Sequence, residues 1–181
     1  DAQSVEASAG FFKNGLIAVN IADNPHGPIM SSLAGSVILA RAGIEPVYQI
    51  VTRDRNRIAI QSDLLGASAL GIKNVLCLSG HHQSLTASPE SANVYDIDSI
   101  QLIDAIKKMR DEGVLLDGSK VNTSFSMLIG AVASPDLKPM ELNMLRLSKK
   151  VNAGATFIQT QAVFDTDQFE KWMTQARNRG I

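Results

Sequence analysis

The chain has a single cysteine, only 5% aromatic residues and no apolar run near the roughly 18 residues that a membrane span needs. Cys77 sits alone inside Val75-Leu76-Cys77-Leu78, so there is no disulfide framework and the thiol reads as core. Charge of either sign is scarce: 19% of residues are charged, the formal net charge is −1, and Lys and Arg are scattered apart from short clusters. That leaves no footprint for nucleic acid or an anionic membrane surface. The start, Asp1-Ala2-Gln3-Ser4, has no basic leader region, and a cytoplasmic location is expected. His81 and His82 are adjacent, with only His26 besides, so metal-ligand spacing is missing and no metal is expected. There is no P-loop. The glycines of Gly66-Ala67-Ser68-Ala69-Leu70-Gly71 fall inside and at the end of a helix, which excludes a dinucleotide fingerprint there.

What is present is a 45% apolar composition over 181 residues, enough for one sizeable core and read as a single domain, 1–181. Strands are expected over Gly15–Asn20, Pro46–Val51, Asn74–Leu78, Phe125–Ala133 and Gly154–Asp165. Helices are expected over Ser4–Lys13, Met30–Ala42, from Asn56 through Leu70, and over Asp98–Glu112, Pro139–Asn152 and Asp167–Arg177. Ser79–Tyr95 reads as a long loop. The strands start near residues 16, 46, 73, 124 and 155, spacings of about 30, 27, 51 and 31 residues, the period of a repeated strand–helix unit. Such units build either an open doubly wound sheet or a (β/α)8 barrel, and a whole barrel takes about 250 residues. The expected class is α/β, a partial (β/α)8 TIM barrel of about five βα units with its first and last strands missing. Periodicity alone suits an open sheet equally well.

In both architectures ligands meet the carboxyl ends of the strands. Those ends offer Asn20 and Asp23; Gln49, Thr52, Arg53 and Asp54; Ser79, Gly80, His81, His82 and Gln83; Gly130 and Ser134; and Gln159, Thr160 and Gln161. Amides and hydroxyls outnumber carboxylates, which suits hydrogen bonding to a large heterocycle better than hydrolysis. The last strand turns from apolar to polar along its length, so its Gln159–Asp165 end is expected at any site. His81, directly after Gly80, is expected to touch ligand, whereas His82 reads as a loop histidine bonded to backbone or water.

Five segments, in order, resemble a known family. They are Thr52-Arg53-Asp54-Arg55-Asn56-Arg57, Asp63-Leu64-Leu65-Gly66-Ala67, Asn74-Val75-Leu76-Cys77-Leu78-Ser79-Gly80, Lys149-Lys150-Val151-Asn152-Ala153-Gly154-Ala155 and Thr160-Gln161-Ala162-Val163-Phe164-Asp165. Their combination is similar to the methylenetetrahydrofolate reductases and covers nearly the whole chain. The resemblance implies a flavin-containing (β/α)8 barrel that reduces 5,10-methylenetetrahydrofolate to 5-methyltetrahydrofolate. It implies a pterin contact for Gln161, with His81 also near substrate. Asn20, Gln49, Ser79, Gly80, His81, Tyr95, Asp96, Gly130 and Ser134 fall where that family lines the flavin. Arg146, Lys149 and Lys150 fall where it approaches the cofactor phosphates, although a solvated helix face explains those three as well.

The resemblance also carries departures. The family's general-acid glutamate would lie upstream of Asp1, so this stretch is expected to be incomplete for catalysis. Ser79 stands where the family often has Arg, which leaves FMN open beside FAD. His81 stands where it often has Asp, and Gln49 where it often has His. Implied partners are the folate, NAD(P)H or a protein electron donor, and an oligomer or partner chain, because a partial barrel exposes two sheet edges. Two other functions remain open: a non-catalytic pterin- or flavin-binding subunit of a larger assembly, and a pterin-dependent methyltransferase-type barrel.

Overall fold

In the computed structural model, which describes residues 1–12 and 15–181, helix and strand alternate along the chain. The strands are β1 (Val19–Ile21), β2 (Pro46–Val51), β3 (Asn74–Leu78), β4 (Leu128–Ala133) and β5 (Phe157–Thr160). The helices are α1 (Ala2–Phe12), α2 (Ser32–Arg41), α3 (Arg57–Ala69), α4 (Ser99–Asp111), α5 (Met140–Ala153) and α6 (Thr166–Arg177). Four of the helices start at a cap residue whose side chain accepts from first-turn amides that lack helical partners. Ser31 does this for α2, Asn56 for α3, Asp165 for α6, and Asp98 for α4, where Gln101 completes a capping box.

The five strands lie in the order β1-β2-β3-β4-β5, and every neighbouring pair is parallel. A doubly wound sheet reverses its strand order at one point. Here each strand pairs only with its sequence neighbours, so every crossover runs the same way. The sheet curls into half of a barrel, which resolves the choice that periodicity left open.

Alternate residues of each strand face the helices. Tyr48, Ile50, Val75, Cys77, Ile129 and Ala131 pack there against Ile60, Leu64 and Ala67 of α3 and Leu102, Ile103, Ile106 and Met109 of α4. Each large side chain buried this way contributes roughly 1.5–3 kcal/mol of transfer free energy. Ala133, Met144, Leu147, Trp172 and Ala176 join α5 and α6 to the sheet, and Ala9, Leu39 and Ile44 fasten α1 beside α2. The residues between face the hollow of the half-barrel in layers set by the register. Gln49 pairs with Leu76, Leu76 with Gly130 and Gly130 with Phe157; one layer higher, Val132 pairs with Gln159. Gly130 is bare because the Phe157 ring lies on it: a Cβ there would come within 2.2 Å of the ring.

Several expected boundaries move. The first strand, expected over Gly15–Asn20, is Val19–Ile21, and Ile17, outside the ladder, is 95% exposed. The fourth begins at Leu128 rather than Phe125; Phe125 and Met127 are buried without joining the ladder. The fifth is paired only over Phe157–Thr160, and Asp165 leaves the strand end to cap α6, accepting from the Gln168 amide at 2.9 Å. The helix expected over Ser4–Lys13 runs over Ala2–Phe12, and Lys13 lies outside the described residues. Among the described residues, no helix is long and apolar enough to cross a membrane.

Candidate functional site

The C-terminal strand ends surround a cavity of about 510 Å³, within the size range of small-molecule sites. Gln49 and Val51 of β2, Ser79, Gly80 and His81 after β3, Val132 and Ser134 at β4, and Gln161 after β5 line it, with Arg146 and Lys150 entering from α5. A larger hollow of about 970 Å³ opens at the opposite ends of the same strands. Glu45, Lys73 and Arg110 border that hollow, and the rest of its lining is apolar (Ile17, Ala18, Val47, Ile72, Met127, Leu128 and Phe157) or small and polar. Amides, hydroxyls and cations converge on the smaller cavity, at the end of the sheet where parallel α/β folds hold ligands. That cavity is the candidate site.

Its frame comes from Arg53-Asp54-Arg55-Asn56-Arg57, between β2 and α3. Arg53 is only 2% exposed. Its Nε and Nη2 donate to the two oxygens of Asp54 at 2.7 and 2.8 Å. Nη2 also donates to the Asn24 carbonyl (2.8 Å), and Nη1 to the His81 carbonyl (3.2 Å). Arg55 donates to both oxygens of buried Asp23 (2.6 and 3.1 Å), and its Nε lies 3.0 Å from Asp63. Arg57 forks onto Asp96 at 2.8 and 2.9 Å, and its backbone amide donates there too. Charge-assisted bidentate bonds of this kind are the strong ones. They appear in proton affinity: Arg57 holds the Asp96 carboxyl down at about 2, and Arg53 holds Asp54 below the usual carboxylate range.

The loops so held are bent in uncommon ways. Asn24 and Tyr95 have positive φ, 46° and 42°, which is rare for a tyrosine. The Tyr95 hydroxyl donates to the Gly80 carbonyl at 3.3 Å. Gly80 itself has φ 83°, and a Cβ there would sit 3.1 Å from the Arg53 Cβ. The loop passes that close to the end of β2 only because residue 80 lacks a side chain.

The far wall is held more lightly. Lys150 Nζ donates to the Val132 carbonyl at 2.6 Å, and burial, reinforced by neighbouring Arg146, pushes its ammonium pKa down. The Gln161 amide donates to the Ala133 carbonyl at 2.8 Å, which fixes where its side chain starts. Among the described residues, the side chains of Gln49, Arg146 and Gln161 have no hydrogen-bond partner, and no three His, Cys, Asp or Glu groups gather as a metal site.

A family model described as methylenetetrahydrofolate reductase matches residues 14–181. The chain belongs to the methylenetetrahydrofolate reductase family. It is also similar to a Caenorhabditis elegans protein named probable methylenetetrahydrofolate reductase (NADPH), with 25% identity over 153 residues. That match covers 83% of this chain and 21% of the relative, so the chain spans about a fifth of that curated relative's length.

Of the residues that the resemblance to methylenetetrahydrofolate reductases singled out, Gln49, Ser79, Gly80, His81, Ser134, Arg146, Lys150 and Gln161 come together at the cavity. Five lie outside its lining. Asn20 is exposed on β1, and Lys149 is exposed on α5. Tyr95 reaches the rim through Gly80, while Asp96 is engaged by Arg57 at the start of α4. Gly130 is the third residue of β4 beneath Phe157, not the end of the strand. His82 is bonded locally, its ring nitrogens 2.9 Å from Ser84 Oγ and 3.0 Å from Asn93 Nδ2. Sequence reasoning placed Arg53 and Asp23 at strand ends without a role. The readable signal was arginine at every second position from 53 to 57, which sends successive side chains to different neighbours.

Proposed function

We propose that this chain forms the flavin- and folate-binding part, within one domain, of an enzyme that reduces 5,10-methylenetetrahydrofolate to 5-methyltetrahydrofolate. The observation that carries this reading is the convergence on one cavity, at the strand ends, of eight positions that the resemblance had singled out. The donor set fits a flavin. Arg146 and Lys150 bring positive charge to one wall, suited to phosphate, with Lys149 next along the helix. Gln49, Ser79, the Gly80 backbone and His81 offer the donors and acceptors that a heterocycle edge needs, with Ser134 opposite. Asn20, Tyr95, Asp96 and Gly130 lie farther out in this reading; Tyr95 and Asp96 act through the loops they hold, and Gly130 through the Phe157 ring that lies on it. When bound, FAD (or FMN) supplies the hydride. The electron donor is NAD(P)H or a protein.

This chain's own residues bind and orient. Gln161 has both amide groups available for the pterin, and its backbone amide is anchored to β4. Asp23 is the one carboxylate of the described lining, and both its oxygens are occupied by Arg55, with the Val51 amide on one of them. It is therefore poorly placed to deliver a proton. The same observation favours a second reading, a non-catalytic subunit that keeps the pocket.

An absorbance spectrum of the full-length protein after reconstitution with FAD or FMN tests the first step. Absence of flavin bands would remove the reductase reading. Flavin bands without reduction of the folate by any donor would favour the binding subunit. His81 allows a finer test. A neutral or cationic group beside the flavin stabilises its anionic reduced form better than a carboxylate does, so His81→Asp should lower the potential; an unchanged value removes that role.

A further inference from the structure

Arg53 meets more of the site's frame than any function assigned so far requires. Its guanidinium bonds to the Asn24 carbonyl in the loop after β1 and to the His81 carbonyl in the loop after β3. Its backbone N–H donates to the Ser79 carbonyl at 3.1 Å, and its own carbonyl accepts from the Val94 amide at 2.8 Å, where that same loop returns. Its Cβ is the surface against which Gly80 packs. Asp54 braces the guanidinium and also accepts from Gln83 Nε2 at 2.8 Å. Arg53 is only 2% exposed and borders the cavity from behind the groups it holds, Ser79, Gly80, His81 and Asn24, which line it too.

We infer that Arg53 is a positioning residue: its single side chain sets the placement of the loop carrying Asn24 relative to the loop carrying Ser79, Gly80 and His81. The planar fork explains why arginine stands here. Its nitrogens point to two carbonyls and one carboxylate at fixed angles, a geometry that a lysine ammonium on a flexible stem does not reproduce. Losing the fork leaves two carbonyls without their donor and frees the Gly80 turn to shift, while the sheet beneath keeps its ladder and core. The ligand part of the test rests on the flavin reading of the cavity; the loop part does not.

The experiment compares wild type with Arg53→Lys in the full-length protein, using amide hydrogen exchange together with FAD titration. Arg53→Lys should remain folded and speed exchange at the amides of 80–83 and Val94 by about tenfold or more, the scale of one lost bond to a charged group. Amides of β2 and β3, such as Ile50 and Cys77, should keep their protection, and FAD should bind about tenfold more weakly. Unchanged loop exchange overturns the inference. So does acceleration shared equally by the sheet, which marks a general stabiliser, and so does looser loops with FAD affinity intact. If wild type binds no flavin, the flavin reading fails and the loop-against-sheet exchange pattern alone decides this one. If Arg53→Lys does not fold, Asp54→Asn keeps the arginine and weakens its brace; it should give the same pattern at smaller amplitude, and no loop effect there overturns the inference.

Discussion

On the β1–β3 side of the cavity, three arginines clamp the loops through carboxylates and carbonyls, and Asp23, Asp54 and Asp96 are all engaged by them. On the β4–β5 side, Lys150 makes one bond to a strand carbonyl, and the side chains of Arg146 and Gln161 have no partner among the described residues. The contrast separates frame from contact surface. A polar group whose bonds are already made within the protein holds shape, because giving one up leaves a buried group unsatisfied at about 1–3 kcal/mol. A polar group at a cavity with capacity left over is the one that can meet a ligand without that cost. By this measure, the β1–β3 loops form a preset wall, and the β4–β5 wall, with His81 and Gln49 opposite, keeps polar groups with capacity left over.

The sharpest way to break this comparison is to remove one clamp. Arg53→Ala, which unlike Arg53→Lys leaves the Asp54 carboxylate with no cation beside it, should cost about 3–5 kcal/mol, the range for breaking a buried ion pair from one side, whereas Lys149→Ala on the other side should stay within about 0.5 kcal/mol. Urea unfolding of both variants measures the difference, and equal costs would erase the distinction. The β4–β5 side is not weak, however; it is held by packing. Gly130→Ala drives a methyl into the Phe157 ring and should cost about 1–3 kcal/mol. Combining it with Phe157→Leu should recover part of that loss in thermal melts.

Recognition itself is a smaller effect. Gln161→Ala should weaken folate binding by roughly 0.5–1.5 kcal/mol, the net worth of a neutral hydrogen bond, and leave flavin content unchanged. Full folate affinity by calorimetry would remove Gln161 from the pterin wall.

Smallest is the response to pH, which has one sign on both sides but falls in different pH ranges. Asp54 and Asp96 have lowered pKa values, so their pairing stabilises the fold above the ordinary aspartate value near 3.9, and this is lost as pH falls, towards about 2 for Asp96. Lys150 is also lowered, by burial first, so at neutral pH the unfolded chain holds that proton more firmly. Stability should therefore rise as pH climbs through its depressed value towards the free lysine range. Asp54→Asn should flatten the acid limb of a stability–pH curve, and Lys150→Met the alkaline one.

The central strands were legible to the residue: Pro46–Val51 and Asn74–Leu78 stand as expected, because both are buried on two sides and bounded by turns. The edges were not. Leu16-Ile17 and Phe125–Met127 look like strand in an apolar reading, but pairing depends on a neighbour's carbonyls, which hydrophobicity does not encode. Likewise Asp165 has the polarity of a site residue, and only the turn into α6 reveals it as a cap. At the site, Gln161 and His81 could be read from strand ends and from resemblance. Arg53 could not be ranked, because its role depends on the carbonyls of Asn24 and His81, contributed from elsewhere in the chain.

The unbroken order β1-β2-β3-β4-β5 bears on how the chain acquires this shape. Each ladder joins strands consecutive in the chain, most of them across a single helix, so no pairing must wait for a segment from the far end of the chain. Loop-closure entropy grows only slowly with length, and chains rich in near-neighbour pairings fold faster than those relying on far ones. Assembly can then zip from the central β2–β3 pair outwards, one unit at a time. The interval carrying Ser79–Tyr95 sets the slowest stitch, and Arg53, which gathers both ends of that loop, is placed to hold it once formed.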